Sequence, residues 1–235
     1  MCVKSPHSFE FAAVLRRPLS ISFFFVLLFS TEAFGQFFNI TLEGPPTLTG
    51  ASGNFSVFPT TADYTTSLIV LANFGELGPA NPNGSVLLRV PVIIRANRSY
   101  NVTAQITSAF FSIDPNAVQQ SDIAFSVTNL RPAGDGLLAN ICSNNTISSP
   151  FNNDAQPLGG NPRIYYASTL ADLSLLPTVL ISGPRLSKVG GLLPNNGYRF
   201  DLYFRVVPQF FAPSSSSFSL LISIGPSLGE IKCVP

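Results

Sequence analysis

Polar and apolar residues alternate with a period of two along much of the chain beyond Gln36, and that period constrains the fold more than any other feature. From Asn97 to Thr107 the even positions Tyr100, Val102, Ala104 and Ile106 are apolar, while Asn97, Ser99, Asn101, Thr103, Gln105 and Thr107 are polar. Successive side chains on an extended strand point to opposite faces, so such a segment has one buried face and one wet face. The pattern returns at Ile123, Phe125 and Val127, through Tyr198–Val206, and at Phe218, Leu220, Ile222 and Ile224. The last two segments read as a hairpin joined through Pro208 to Ser216.

Further strands are expected at Phe37–Leu42, Asn54–Phe58, Ser67–Ala72, Val86–Ile94, Arg163–Ala167 and Thr178–Ile181. Turn sequences separate them, among them Gly44-Pro45-Pro46, Asp114-Pro115-Asn116 and Pro194-Asn195-Asn196-Gly197. Pro91 inside the Val86 strand points to an edge position or a bulge, because proline cannot donate to a ladder. Ser168–Leu176 reads as the one short helix, with Asp172 three places after a Thr169 cap and Pro177 as the stop. Many short strands without βα alternation make the chain all-β, an antiparallel β-sandwich of two packed sheets. Asn140–Asn161 interrupts it as a long polar loop.

The amino terminus sets the compartment. An apolar run from Leu19 to Phe29 follows Arg16 and Arg17 and precedes Ala33-Phe34-Gly35, the layout of a cleavable signal peptide spanning 1–35. A membrane anchor needs roughly 20 apolar residues, and Glu32 ends this run too early. The expectation is a single β-sandwich domain over 36–235, secreted, periplasmic or at the cell surface, with no stable membrane span after cleavage. Its carboxyl end, Ile231–Pro235, is a cysteine-bearing tail, unlike the closing strand of an outer-membrane barrel.

Removing 1–35 takes away His7, the one histidine, and leaves Cys142 and Cys233 as the remaining cysteines. Two cysteines in an exported chain most simply form one bridge, closing a loop of about 90 residues that disfavours the unfolded state by roughly 4.5 kcal/mol. Such a bridge staples the carboxyl tail. Without imidazole, Ser-His-Asp and Cys-His arrangements and His-containing zinc sites are excluded, and no nucleotide-binding motif is present. The chain reads as a non-enzyme without cofactor or metal.

A glycosidase needs only two carboxylates, and Asp114, Asp122, Asp135, Asp154, Asp172, Asp201 and Glu230 supply candidates. Most have simpler roles: Asp114 and Asp135 lie in turns, Asp172 suits a helix start, and Asp201 faces outward between Arg199 and Arg205, where a cross-strand ion pair is ordinary. Asn152, Asn153 and Asp154 offer oxygens for Ca²⁺ but lack the Dx[DN]xDG spacing.

The chain holds 13 Lys and Arg against 12 Asp and Glu, and without Lys4, Arg16, Arg17, Glu10 and Glu32 the two signs balance. A near-neutral surface does not attract nucleic acid or anionic lipid. Six Asn-x-Ser/Thr sequons, at Asn39, Asn54, Asn83, Asn97, Asn101 and Asn144, are candidate glycosylation sites, with Asn97 and Asn101 on the wet side of their strand. Tyr165 and Tyr166 are the candidate ligand contacts of a carbohydrate-binding module, although adjacent strand residues face opposite ways. The leading expectation is a secreted or cell-surface structural or interaction module. It would be a subunit of a surface assembly, binding other copies of itself or other surface proteins, with Phe37–Leu42 as a segment able to pair with another sheet edge. Glycan binding is the alternative.

Overall fold

The alternating segments become the strands of two antiparallel sheets packed face to face. The computed structural model describes residues 35–50, 53–59, 65–77, 86–133, 142, 144–152, 157–158, 165–166, 168–186, 197–206 and 211–234. Of the segment 1–35 expected as a signal peptide, all but Gly35 lies outside them. In chain order the strands are β1 (Phe38–Leu42), β2 (Thr47–Thr49), β3 (Asn54–Pro59), β4 (Ser67–Leu77), β5 (Val86–Ala96), β6 (Tyr100–Phe110), β7 (Ala124–Pro132), β8 (Thr146–Ile147), β9 (Pro157–Leu158), β10 (Tyr165–Tyr166), β11 (Thr178–Gly183), β12 (Tyr198–Val206) and β13 (Ser214–Pro226). The five-stranded sheet runs β1-β5-β12-β7 with β2 also on β5, and the six-stranded sheet runs β3-β4-β13-β6-β11-β8. β9 and β10 form a separate two-stranded ribbon.

The apolar phase of each strand lies in one core. Leu88, Val90, Val92 and Ile94 of β5 join Phe200, Leu202 and Phe204 of β12 with Val102 and Ala104 of β6 and Leu220 and Ile222 of β13. A row of rings crosses from one sheet to the other. Phe204 sits 5.0 Å from Phe125 and 5.1 Å from Phe218, whose other neighbour, Phe74, meets it edge-on at 5.9 Å. Such pairs contribute about 0.5–1.5 kcal/mol each beyond the area they bury.

The expected hairpin between β12 and β13 does not form. β12 pairs with β5 and β7 in one sheet, and β13 pairs with β4 and β6 in the other. Both strands bury one face, which alternation reports, but alternation is silent about which strand lies alongside.

Pro91 belongs to an interior strand, flanked by β12 on one side and by β1 and β2 on the other. It is tolerated because β1 covers Val92–Ala96 and β2 covers Leu87–Arg89, so Pro91 faces the break between them. Its carbonyl accepts from Glu43 N at 3.0 Å across that break, where no donor is needed from it.

The expected helix over Ser168–Leu176 contracts to a single 3₁₀ turn, Leu170–Asp172. Asp172 accepts from Thr169 N at 2.6 Å, as a first-turn acid should. Beyond it the backbone serves β6, since Ser174 O accepts from Ile106 N at 3.0 Å and Leu175 O from the Gln105 side chain. The backbone here is turned toward the neighbouring strand and does not wind into a helix. A second 3₁₀ turn, Gln120–Asp122, has a similar acid, with Asp122 accepting from Gln119 N at 2.9 Å.

The described part of the polar loop is a seam. Its β8 extends the six-stranded sheet at β11, and Phe151 buries its ring 5.6 Å from Phe125 while its carbonyl accepts from Val127 N of β7. One segment therefore ties the edges of both sheets together.

Candidate interaction surface

Cys142 and Cys233 form a disulfide across 91 residues, with Cα atoms 5.0 Å apart. Asn144 fastens the same tail: its Nδ2 donates to Lys232 O at 2.8 Å and its Oδ1 accepts from Val234 N at 3.1 Å. Beneath the bridge, Tyr100 Oη donates to Asn145 Oδ1 at 2.7 Å, Asn145 Nδ2 donates to Cys142 O at 3.2 Å, and Tyr198 Oη donates to the same carbonyl at 3.1 Å. Tyr100 belongs to one sheet and Tyr198 to the other, so a hydrogen-bonded knot joins the layers at the staple. Burial pushes both phenols above their ordinary range, because a phenolate would lose its solvation there.

The sequons separate by environment. Asn39 is only 1% exposed; its Nδ2 donates to Thr65 O and its Oδ1 accepts from Arg95. Asn97 is half-buried and accepts from Phe37 N at 2.7 Å, and Asn101, also half-buried and on the outward phase, accepts from Ser182 Oγ at 2.9 Å. Asn54 stands exposed at the start of β3. Asn83 lies outside the described residues. Tyr165 and Tyr166 form β10 against β9, but their side chains also lie outside the described set.

The candidate carboxylates are scattered. Asp114 accepts from Asn116 N at 2.9 Å as a turn acid. Asp122 is half-buried, and that burial raises its pKa, against the lowering by its Gln119 hydrogen bond. Asp201 differs from expectation in its surroundings: it is 1% exposed and pairs with Arg89 at 3.0 Å, while Arg199 pairs with Glu43 at 2.9 Å. Asn129, at φ 57° where the β7–β12 register shifts, donates to Asp201 at 2.6 Å. The hydrogen bond from Arg89 to Asp201 is the main cause raising the Arg89 pKa. Asn152 is exposed, whereas Asp135, Asn153 and Asp154 lie outside the described residues.

The expected pairing segment is the edge strand β1, paired on one side within its own fold. Phe38–Leu42 pairs with Val92–Ala96, Ile40 is fully buried, and the outer edge at Ile40 N donates to Thr65 O at 2.9 Å.

What alternation did not expose is how charge divides between the sheets. Arg89, Arg95, Arg131, Arg199, Asp201 and Arg205 all lie on strands of the five-stranded sheet. Among the described residues, Glu76 is the one charged residue in the strands of the six-stranded sheet. Across its outer face, Phe58, Ile69, Leu221 and Gln105 stand in one cross-strand row, with Phe58 40% exposed and the next three half-buried. Exposed Leu175 and Leu176 adjoin the Gln105 end, and Leu71 is 39% exposed beside the row.

Several polar groups of this face are already paired laterally. Ser67 Oγ and Ser223 Oγ lie 2.8 Å apart, Thr107 Oγ1 donates to Ser219 Oγ at 2.7 Å, and Ser182 bonds Asn101. A polar group that is hydrogen-bonded costs far less to cover than an unpaired one. The sequence holds the signal, a lack of charge in these strands, but it emerges only when strands are assigned to sheets.

At the far end of the same face, a cleft of about 400 Å³ is bounded by Asn54, Leu71, Asn73, Phe110, Ser217 and Ser219. Comparison of the chain with known protein families, curated proteins and solved structures returns no match.

Proposed function

We propose that this chain is an exported, non-catalytic interaction module, a unit of a surface assembly that docks on other copies of itself or on other surface proteins through the outer face of its six-stranded sheet. The carrying observation is the charge-free row Phe58–Ile69–Leu221–Gln105 among hydroxyls that already bond one another. Covering such a face removes apolar area from water, worth about 25 cal/mol per Å², without stranding a charge. Monomeric proteins rarely expose large contiguous apolar patches. The disulfide and the tyrosine knot suit this role, because a rigid sheet loses little conformational freedom on docking.

Sedimentation equilibrium of the mature chain over a wide concentration range tests the reading. Reversible association, weakly sensitive to salt because the face lacks charge, supports it. A monomer at every concentration, with no docking to a surface protein of its own source, contradicts it.

A further inference from the structure

Asn54 differs from the other described sequons in lacking any structural task. Asn39 is buried, Asn144 holds the tail, and Asn97 and Asn101 are half-buried acceptors. Among the described residues the Asn54 side chain makes no hydrogen bond, and Ser56, the hydroxyl residue of the same sequon, is exposed beside it.

Asn54 stands in a cross-strand row with Asn73, Ser217 and Phe110, and Ser56 in the next outward row with Leu71, Ser219 and Ser108. These rows floor the 400 Å³ cleft, which leaves Leu71 39% and Phe110 63% exposed. The cleft runs about 14 Å from Asn54 to Phe110 at the ordinary strand spacing, the reach of two or three sugar rings. Meanwhile β3 is an edge strand without any charged residue, the kind of edge that invites pairing with another chain. The edges of the other sheet are partly covered: β7 is met by Ser168 and Phe151, and β1 by Thr65.

We infer that Asn54 carries an N-linked glycan whose first sugars lie in this cleft over Leu71, and that the glycan guards the β3 edge. In the transfer, Asn54 Nδ2 bonds to the anomeric carbon of an oligosaccharide pyrophospholipid. The carbon–oxygen bond to pyrophosphate breaks, the lipid pyrophosphate leaves with the electron pair, and the amide loses one proton to a base of the transferase. Transfer precedes folding, so the folded structure decides which products survive: a sugar on Asn39 would have to occupy core, whereas one on Asn54 points into solvent. Tethering holds the sugar near the cleft at millimolar effective concentration, enough for weak apolar contact to order it. This inference does not depend on the Leu221 row being the docking surface.

The test uses the full chain secreted from a glycosylating eukaryotic cell behind a supplied leader. Glycopeptide mass spectrometry is expected to find Asn54 occupied and Asn39 bare. Hydroxyl-radical labelling of Leu71 is expected to rise severalfold in Ser56→Ala, which removes the sequon while keeping Asn54, and in Asn54→Gln. It should stay low in wild type trimmed to its first sugar. In the Leu221→Lys background, Ser56→Ala should add association through the bare edge. An unmodified Asn54, a glycan on Asn39 in folded protein, or Leu71 labelling indifferent to Ser56→Ala would each overturn it.

Discussion

Tyr100 Oη and Asn145 Oδ1 meet at 2.7 Å inside the sandwich, directly above the α-carbon of Gly183. A Cβ at Gly183 would lie 2.1 Å from that Asn145 oxygen and 2.8 Å from the tyrosine oxygen, so glycine is required here by space and not by backbone angle. Gly183→Ala is expected to destabilise the fold by about 2–4 kcal/mol in urea unfolding. Tyr100→Phe, which keeps the ring and loses the bond, should cost about 1–2 kcal/mol.

The two buried phenols set an alkaline limit. Both have folded pKa values raised above the ordinary 10.0, so their contribution is complete below pH 10 and is lost as pH climbs beyond it. Chemical denaturation from pH 7 to 11.5 should show little phenol-linked change up to about pH 10, then a fall that steepens by roughly 1.4 kcal/mol per pH unit for each phenol ionised on unfolding. Tyr100→Phe should make that fall shallower.

Opening the staple should act on the tail first. Replacing Cys142 and Cys233 by Ala is expected to cost about 2–5 kcal/mol. Hydrogen exchange should show Ser227–Val234 losing protection well before β13, because that segment then keeps only hydrogen bonds to Asn144 and Ser99 in place of a sheet ladder. Unchanged stability would mean that the bridge does not close in the native protein.

The ion pair at Asp201 is asymmetric, with the carboxylate buried and Arg89 40% exposed. Arg89→Ala leaves a buried anion with the Asn129 amide and should cost about 1–3 kcal/mol by thermal unfolding, whereas the double variant with Asp201→Asn should recover part of it.

How far the residues disclose the fold can be judged at β12 and Tyr100. The bounds of β12 and the buried phase of its side chains follow from local alternation, as does the pairing of Cys142 with Cys233 by elimination. The neighbours of β12 do not, because β5 and β7 are chosen by long-range packing. Tyr100 reads as one more apolar position; its hydroxyl matters only through Asn145, 45 residues away. The charge-free face was equally hidden, since β3, β4, β6, β11 and β13 are scattered through the chain and become one surface only in the folded sheet.

The most direct trial of the docking surface is a matched pair of lysines. Leu221→Lys places a charge in the middle of the uncharged face, and Tyr203→Lys places one among the arginines of the opposite sheet, each at a half-buried position. Sedimentation of both variants beside the wild type is expected to show association lost in Leu221→Lys and kept in Tyr203→Lys, with both folded by circular dichroism. Association that survives Leu221→Lys, or is lost only in Tyr203→Lys, would contradict the assignment of the six-stranded sheet as the docking face.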